Sequence, residues 1–375
     1  MPEIPLFKLN YNEKEQKAVL DTLKSKWIST GPNCKKLEQM FSDKIGSKYC
    51  LTTTNCTAAL HLAMLVAGIG PGDEVLVPSL SFVATANAVR YVGATPVFCD
   101  ITSFDDLTIS PREIENKITD KTRAIVPMHY AGFGSNMEAI QNIASQNNLL
   151  IIEDASHAPL ATYNNENLGS IGDIGCFSFY SNKNISTGEG GMLVTDNPDY
   201  YSRAKHLRSH GMTSLAYNRK DGKNTYDVTD LGYNYRMDDI RASLGLVQFK
   251  KLSGDMKKLA HNRGLYIENL ASIEELSVPF LDYAGISTNY IFPVLLKDVD
   301  GINRDQVRKY LKEKGVQTSV HYPAIHEFAI YENYTVDLPK TEFVARNEIT
   351  LPMFPELKDK EIRYVVKMLR EALCQ

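Results

Sequence analysis

A glycine-rich stretch in the middle of the chain contains the lysine best placed for covalent chemistry. It covers residues 169–191 and reads GSIGDIGCFSFYSNKNISTGEGG, with a predicted strand, Cys176–Phe179, ahead of Lys183. A lysine in such a turn can form a Schiff base with an aldehyde once burial and nearby cations lower its pKa. Three glycines in the turn allow backbone conformations with positive φ: Gly188, Gly190 and Gly191. Taken alone, the segment is more often a surface loop with a solvated lysine.

A second stretch joins a buried strand to two adjacent carboxylates. Residues 149–157 read LLIIEDASH, so that Glu153 and Asp154 stand together at the end of an apolar run. An acid at the carboxyl end of a sheet can keep a heteroaromatic nitrogen protonated, and His157 can contact the same ring. The alternative is a carboxylate that caps the next helix, which is common.

A third stretch passes from a strand into a helix through small and hydroxyl side chains. It reads TTTNCTAAL over residues 52–60. Free amides at a helix N-terminus, together with a threonine hydroxyl, make an anion site, so we expect Thr57 and Ala58 to hold a phosphate. A plain helix cap explains this segment equally well.

Three further stretches carry aromatic and polar side chains. Phe82 follows a strand end and can stack on a flat ring. Residues 232–238, GYNYRMD, form a polar and aromatic patch, and residues 318–326, TSVHYPAIH, pair His321 with Tyr322. Each of these, on its own, is more often a core aromatic or an ordinary polar loop.

The elements that must position these residues follow from the hydrophobic pattern. Apolar runs without alternation predict seven strands buried on both faces: Tyr49–Thr52, Glu74–Pro78, Pro96–Cys99, Ala124–Pro127, Leu149–Glu153, Cys176–Phe179 and Met192–Thr195. Helical patterns lie between some of them: Thr57–Val66, Pro111–Lys117 and Met137–Ser145. This alternation predicts an α/β fold with a mostly parallel seven-stranded sheet flanked by helices. Ligands of such sheets bind beyond the carboxyl ends of the strands, where most of the unusual polar residues fall.

The pattern changes after about residue 240. It predicts a long helix, an apolar run and two later helices: Arg241–Leu270, Tyr290–Leu296, Arg304–Lys314 and Asp359–Leu373. We therefore predict a large domain over residues 1–245 and a smaller α+β domain over residues 246–375.

Composition narrows the class of protein. The 375 residues carry a formal net charge of -4, which builds no basic face for nucleic acid or an anionic membrane. No apolar stretch reaches the ~20 residues that span a bilayer, and the N-terminus lacks a signal-peptide pattern. The six cysteines show no CxxC spacing, so no metal site is expected and a reducing cytoplasm fits best.

Taken together, the six segments resemble the DegT/DnrJ/StrS-type sugar aminotransferases, a branch of the fold-type I pyridoxal 5'-phosphate (PLP) enzymes. The resemblance runs from WISTGP at residues 27–32 to LPM at residues 351–353, with the motifs in the family's order and spacing. It implies PLP as cofactor and a homodimer with shared active sites.

The resemblance also implies roles for matched residues in cofactor binding. Lys183 matches the Schiff-base lysine, and Asp154 matches the acid that pairs with the pyridine nitrogen. His157 lies where the family has Gln or His against the ring, and Phe82 lies at the ring-stacking position. The phosphate contacts match Thr57, Ala58 and Ser178.

Further positions match the family's contacts with the partner subunit and the substrate. Asn234 matches a residue that reaches the phosphate of the partner subunit's cofactor. The region that holds the sugar nucleotide includes Trp27, Ser29, His321 and Tyr322. The sequence departs from the family at Pro159-Leu160, where a small Gly is usual.

The reaction implied is a ping-pong transfer of an amino group from L-glutamate to a nucleotide-linked keto-sugar. A 4-keto-6-deoxy sugar or a 4-keto pentose is expected, with the product used in cell-surface glycans or secondary metabolites. A cyclitol aminotransferase acting on a keto-inositol shares every motif, whereas PLP-dependent sugar dehydratases carry His in place of the lysine. A cofactor-binding regulator without turnover would not need the complete catalytic set. A Rossmann dehydrogenase is rejected because GIGPG, residues 68–72, precedes a strand instead of following one.

Overall fold

The computed structural model describes residues 3–213, 226–297, 303–334 and 336–374. Within these ranges the helices are α1 (Glu13–Lys24), α2 (Pro32–Ile45), α3 (Cys56–Val66), α4 (Ala84–Tyr91), α5 (Pro111–Lys117), α6 (Met137–Asn147), α7 (Pro198–Leu207), α8 (Asp239–Leu270), α9 (Arg304–Glu313), α10 (Pro339–Asn347) and α11 (Asp359–Leu373). The strands are β1 (Tyr49–Thr53), β2 (Glu74–Pro78), β3 (Thr95–Cys99), β4 (Thr122–Ile125), β5 (Leu150–Asp154), β6 (Thr162–Tyr163), β7 (Glu166–Asn167), β8 (Ile174–Ser178), β9 (Gly191–Thr195), β10 (Leu276–Ser277), β11 (Phe292–Leu296) and β12 (Glu348–Leu351).

Seven strands form the central sheet in the order β1-β9-β8-β5-β4-β2-β3. Neighbouring strands are parallel, except that β9 runs antiparallel to both β1 and β8. The predicted α/β fold with a mostly parallel seven-stranded sheet is confirmed. Six strands therefore end at one edge of the sheet, where β9 begins, and the loops there can build a ligand site.

Helices cover both faces of the sheet, as the absence of alternation in the strands requires. On one face, α2 and α8 bring Phe41 and Phe249 against Phe177 of β8, with the Phe41 ring 4.9 Å from Phe177 and 5.1 Å from Phe249. On the other face, α3 lies against the sheet, α4 and α7, so that it is buried almost along its whole length. That burial explains why its sequence is apolar all round.

The long helix α8 links this part of the molecule to a second, three-stranded antiparallel sheet, β10-β11-β12. Its residues up to Met256 pack into the core beside the large sheet, whereas residues from Leu259 onward pack with α9, α11 and the small sheet. The helix runs without a break through residue 245. The division into 1–245 and 246–375 stays a prediction, because one helix contributes to both cores.

Two kinds of feature are absent from the residues that the structure describes. None of the helices is both long and apolar enough to cross a bilayer. No group of three or more His, Cys, Asp or Glu side chains is arranged to hold a metal ion.

Candidate active site

A cavity of about 490 Å³ opens at the edge of the sheet where the parallel strands end. Its volume lies within the ~300–1,000 Å³ typical of small-molecule sites. Seven of the twelve predicted site residues line it: Thr57, Phe82, Asp154, Ser178, Lys183, His321 and Tyr322. Two other cavities, of about 420 and about 540 Å³, contain none of the twelve. Residues that were predicted from separate segments of the sequence therefore line a single cavity.

Lys183 lies in the loop that joins β8 to β9, and its backbone amide donates to the carbonyl of Tyr180 at 2.9 Å. Burial lowers the pKa of its amine from 10.5 to about 7, against the opposing influence of Asp154 and Cys56. The amine nitrogen Nζ lies 4.2 Å from the ring centroid of Tyr290. Lys183 is thus a half-buried side chain whose desolvated amine lies at the cavity wall, unlike the solvated surface lysine considered above.

The glycines that follow Lys183 serve two different purposes. Gly188 takes a positive φ of 81°, which its lack of a side chain permits. Gly190 and Gly191 do not use this freedom. A Cβ on Gly191 would come within 2.6 Å of the backbone of Asn55, which shows that close approach of two backbones is what requires glycine here.

Asp154 is the last residue of β5 and is buried at the floor of the cavity. Its Oδ2 accepts a hydrogen bond from the Thr85 hydroxyl at 2.7 Å, and its Oδ1 accepts one from the Ser156 amide at 3.1 Å. These contacts hold the carboxylate in one orientation.

Glu153, the neighbouring carboxylate, points to the opposite face of β5 because side chains alternate along a strand. It accepts hydrogen bonds from the amides of Gly169, Ile171 and Gly172 at 2.6–2.8 Å, and from Nε2 of His129 at 2.9 Å. All four groups that donate hydrogen bonds to Glu153 belong to this chain. Glu153 therefore anchors the 169–172 loop, and Asp154 alone of the pair faces the cavity.

His157 connects the Asp154 loop to Tyr322. The Ala131 amide donates to Nδ1 of His157 at 3.2 Å, and Nε2 lies 2.9 Å from the Tyr322 hydroxyl. Burial lowers the pKa of His157 well below 6.5, so the ring is neutral. Since an amide can only donate, the imidazole proton sits on Nε2 and is donated to Tyr322. The hydroxyl proton of Tyr322 is then available to a ligand in the cavity.

The N-terminus of α3 forms the wall nearest β1. Thr57 lines the cavity, and the side chain of Asn55 caps the helix by accepting from the Ala58 amide at 2.8 Å. In this arrangement the Ala58 amide is already paired. The phosphate contact expected of Ala58 therefore stays a prediction, and Asn55 joins Thr57 at this wall.

Aromatic and imidazole side chains form the cavity mouth. Phe82 is 58% exposed, with its ring 6.1 Å from that of Tyr322. His321 is buried beside it: its Nδ1 lies 2.8 Å from the Thr350 hydroxyl, and its amide donates to Oε2 of Glu348 at 2.8 Å. Burial raises the pKa of Glu348 to about 8.

Five predicted residues do not line this cavity within one chain. Ala58 and His157 each adjoin a residue that does, Thr57 and Tyr322, whereas the other three lie apart from it. Trp27 and Ser29 are exposed on the segment before α2, where the indole nitrogen of Trp27 donates to the Thr30 carbonyl at 3.3 Å. Asn234 is exposed on the segment before α8. Their roles toward the substrate and the partner subunit stay predictions.

Sequence reasoning missed several residues of the site. Thr85 holds Asp154, Tyr290 contacts Lys183, and Asn182 lines the cavity with a buried Oδ1 that lacks a hydrogen-bond partner. Thr85 could have been found in the Phe82 segment, four residues after Ser81, as a hydroxyl on the first turn of a helix. Tyr290 gave no signal, because it begins an apolar run that reads as a core strand.

The topology of the sheet and the Lys183–Asp154 pair define a transferase of the fold-type I PLP class. A model of the DegT/DnrJ/EryC1/StrS aminotransferase family matches residues 10–370. SpsC of Bacillus subtilis, a spore coat polysaccharide biosynthesis protein, is 36% identical over 367 residues, which are 96% of this chain and 94% of SpsC.

Solved structures of aminotransferases have the same fold as this chain. PseC of Helicobacter pylori superimposes with a TM-score of 0.93 at 27% identity over 99% of both chains. The PLP-form of Spr1654 from Streptococcus pneumoniae gives 0.91 at 29% identity over 99% of this chain and 98% of that one. The chain belongs to the DegT/DnrJ/EryC1/StrS aminotransferase family, and it is a sugar aminotransferase with PLP as cofactor.

The cavity's side chains fit this cofactor by their chemistry. Lys183 offers an amine for the aldehyde, and Asp154 offers a carboxylate for the pyridine nitrogen. Phe82 offers an exposed ring face for stacking, and the hydroxyls of Thr57 and Ser178 offer donors for the phosphate.

Proposed function

We propose that this enzyme takes the amino group of L-glutamate and gives it to a keto-sugar carried on a nucleotide. The acceptor is a 4-keto-6-deoxy sugar or a 4-keto pentose, and the product is an amino sugar for a cell-surface glycan or a secondary metabolite. Two relatives support this choice. PseC is an aminotransferase of pseudoaminic acid biosynthesis, and SpsC belongs to spore coat polysaccharide biosynthesis.

The observation that carries the proposal is that a half-buried lysine amine and a buried carboxylate face one cavity. PLP, when bound, supplies an electron sink that stabilises negative charge on the reacting carbon of the substrate. Asp154 would hold the ring nitrogen protonated, and its two hydrogen bonds from Thr85 and Ser156 fix the orientation of the carboxylate.

Lys183 moves the proton that the reaction transfers from one carbon to another. With a pKa of about 7, its Nζ exists as amine and ammonium in comparable amounts near neutral pH. The same group can therefore remove a proton from one carbon and return it to another, which is the ideal condition for a general acid–base.

The remaining predicted residues bind and orient the cofactor and the substrate. Thr57, Ala58 and Ser178 hold the phosphate, Phe82 and His157 lie against the ring, and Asn234 reaches the phosphate of the partner subunit's cofactor in a homodimer. The sugar nucleotide lies against Trp27, Ser29, His321 and Tyr322. The enzyme acts in the cytoplasm, where sugar nucleotides are available.

The test is a two-stage absorbance experiment on the purified protein loaded with PLP. L-glutamate should convert the visible band of the bound cofactor into the near-ultraviolet band of pyridoxamine phosphate. Addition of the correct acceptor should restore the visible band.

The acceptor panel should contain 4-keto-6-deoxy sugars and 4-keto pentoses on UDP, GDP and dTDP, together with a free keto-inositol. Restoration by a nucleotide-linked sugar supports the proposal. Restoration by the keto-inositol alone would make the enzyme a cyclitol aminotransferase. A visible band that glutamate leaves unchanged would contradict glutamate as the donor.

A further inference from the structure

The amine of Lys183 lies over the ring of Tyr290, yet nothing in the sequence singled this tyrosine out. It lies two residues before β11 and is 7% exposed. The centroid of its ring is 4.2 Å from Nζ of Lys183 and 4.3 Å from the ring centroid of His157. The ring thus contacts both the lysine and the histidine at the wall of the cavity.

Tyr290 is held at its backbone and interacts with Asn182 through its hydroxyl. Its backbone amide donates to the carbonyl of Ala131 at 3.0 Å, and the side chain of Asn182 opposes the effect of burial, which raises the pKa of the phenol. Asn182 belongs to the same loop as Lys183. The hydroxyl therefore links the ring to the segment that carries the amine, which keeps the ring face turned toward Nζ.

We propose that Tyr290 is a positioning residue for Lys183: its ring face holds the lysine amine whenever that amine is not bonded to the cofactor. The same contact stabilises the ammonium form of the amine over the neutral form. This inference rests on the role proposed above for Lys183.

The physical basis is a balance of two opposed effects on one nitrogen. Burial disfavours the ammonium form, and it is the largest influence on Lys183. The negative face of an aromatic ring attracts a cation within about 6 Å of its centroid, and Nζ is well inside that limit. Without the ring, burial would drive the amine further toward its neutral form, and Lys183 would be a weaker proton donor at neutral pH.

Other titratable groups also surround Lys183. On the cavity side these are two carboxylates, a thiol, an imidazole and two phenols: Asp154, Glu189, Cys56, His321, Tyr180 and Tyr322. His157 adjoins the Tyr290 ring, and on the far side of the lysine a small second cavity holds Lys8 and Asp255. All of these groups are present in the wild type and in single variants of Tyr290. A difference between the variants in the pKa of Lys183 therefore reports the effect of the Tyr290 ring.

The test compares Tyr290→Phe, which keeps the ring face, with Tyr290→Leu, which keeps apolar bulk but has no ring. The full-length apoenzyme is labelled competitively with acetic anhydride between about pH 5 and 9, and mass spectrometry follows the peptide that carries Lys183. This gives the pKa of the amine without any activity measurement. Thermal melting of each variant confirms that it is folded, and Tyr290→Met replaces the leucine variant if that one is unstable.

We expect Tyr290→Phe to keep the wild-type pKa, and Tyr290→Leu or Tyr290→Met to lower it by about one pH unit. An unchanged or higher pKa in the ringless variants would overturn the inference. An equal downward shift in Tyr290→Phe would overturn it too, because the hydroxyl rather than the ring would then be responsible. If the proposed role of Lys183 is wrong, the result is different: the cofactor attaches to another residue, whatever pKa the labelling gives for Lys183.

Discussion

At the residue scale, the site depends on one amine whose pKa is shifted by its surroundings. Burial moves the pKa of Lys183 from 10.5 to about 7, and the ring centroid of Tyr290 lies 4.2 Å from the amine. Only the neutral amine can attack an aldehyde. The speed with which the apoenzyme takes up PLP should therefore report the state of Lys183.

We predict that the rate of cofactor uptake rises with pH and reaches half its maximum near pH 7. The sign follows from the lowered pKa: below it the amine is protonated and inert, and above it the amine is neutral and reactive. Stopped-flow growth of the visible band at fixed PLP measures the rate. Reaction of PLP with N-acetyl-lysine in the same buffers corrects for titration of the aldehyde reagent. A midpoint near 10.5 would mean that Lys183 is not desolvated.

Asp154→Asn should lower kcat by at least about 100-fold, the scale typical of a lost electrostatic contact in an active site. The variant should fold, because the amide oxygen of Asn can still accept from Thr85. Steady-state kinetics and thermal melting are the measurements.

The matched control for this variant is Asp106→Asn. Asp106 accepts from Thr108 and lies in a different cavity, so this change should leave kcat near the wild-type value. Unchanged kinetics in Asp154→Asn would remove Asp154 from the proposed role.

At the element scale, the apolar runs predicted every strand of the large sheet to within about two residues, because strands buried on both faces need continuous hydrophobic sequence. The small pieces β6, β7 and β10 have two residues each, too short to give a pattern. The position of Lys183, Asp154 and Phe82 at strand ends could be predicted for the same reason. The contacts of Tyr290 could not, because they join segments far apart in the chain.

The departure at Pro159-Leu160 is accommodated in the backbone. Leu160 takes a φ of 65°, in the left-handed region that a glycine would occupy without strain. Its side chain packs against the core of the large sheet, which glycine could not do. The loop after Asp154 therefore keeps the backbone shape that glycine favours while using a larger side chain.

We predict that Glu153→Gln lowers the free energy of unfolding by about 3 kcal/mol, since its amide group would face donors that now bond to a carboxylate oxygen. The loop of residues 169–172 would lose its anchor on β5. Urea unfolding measures the change. Glu166→Gln, on an exposed residue of β7, is the control and should alter stability by less than about 0.5 kcal/mol. Equal effects of the two substitutions would contradict the anchor role of Glu153.

At the scale of the whole molecule, the cavity of one chain lacks a residue that the family resemblance assigns to it. Asn234 is exposed and does not line the cavity of its own chain, where seven of the other predicted residues meet. A second subunit that presents Asn234 would complete the site. The homodimer with shared active sites stays a prediction.

We predict that Lys183→Ala and Asn234→Ala, each nearly inactive alone, recover about a quarter of wild-type activity after co-refolding or subunit exchange. Half of randomly mixed dimers are heterodimers, and one of the two sites in each receives both intact residues. Light scattering should show dimers in every sample. Activity no greater than the average of the two parent variants would place Lys183 and Asn234 in the same site of one chain.

The residue that carries the cofactor can be identified directly. The purified protein is loaded with PLP, reduced with borohydride and digested, and mass spectrometry locates the lysine that carries the added pyridoxyl group. We predict a single modified peptide that contains Lys183. We also predict that incubation with L-glutamate before reduction largely abolishes the label. A label on another lysine, or none, would contradict the assignment of Lys183 and the mechanism built on it.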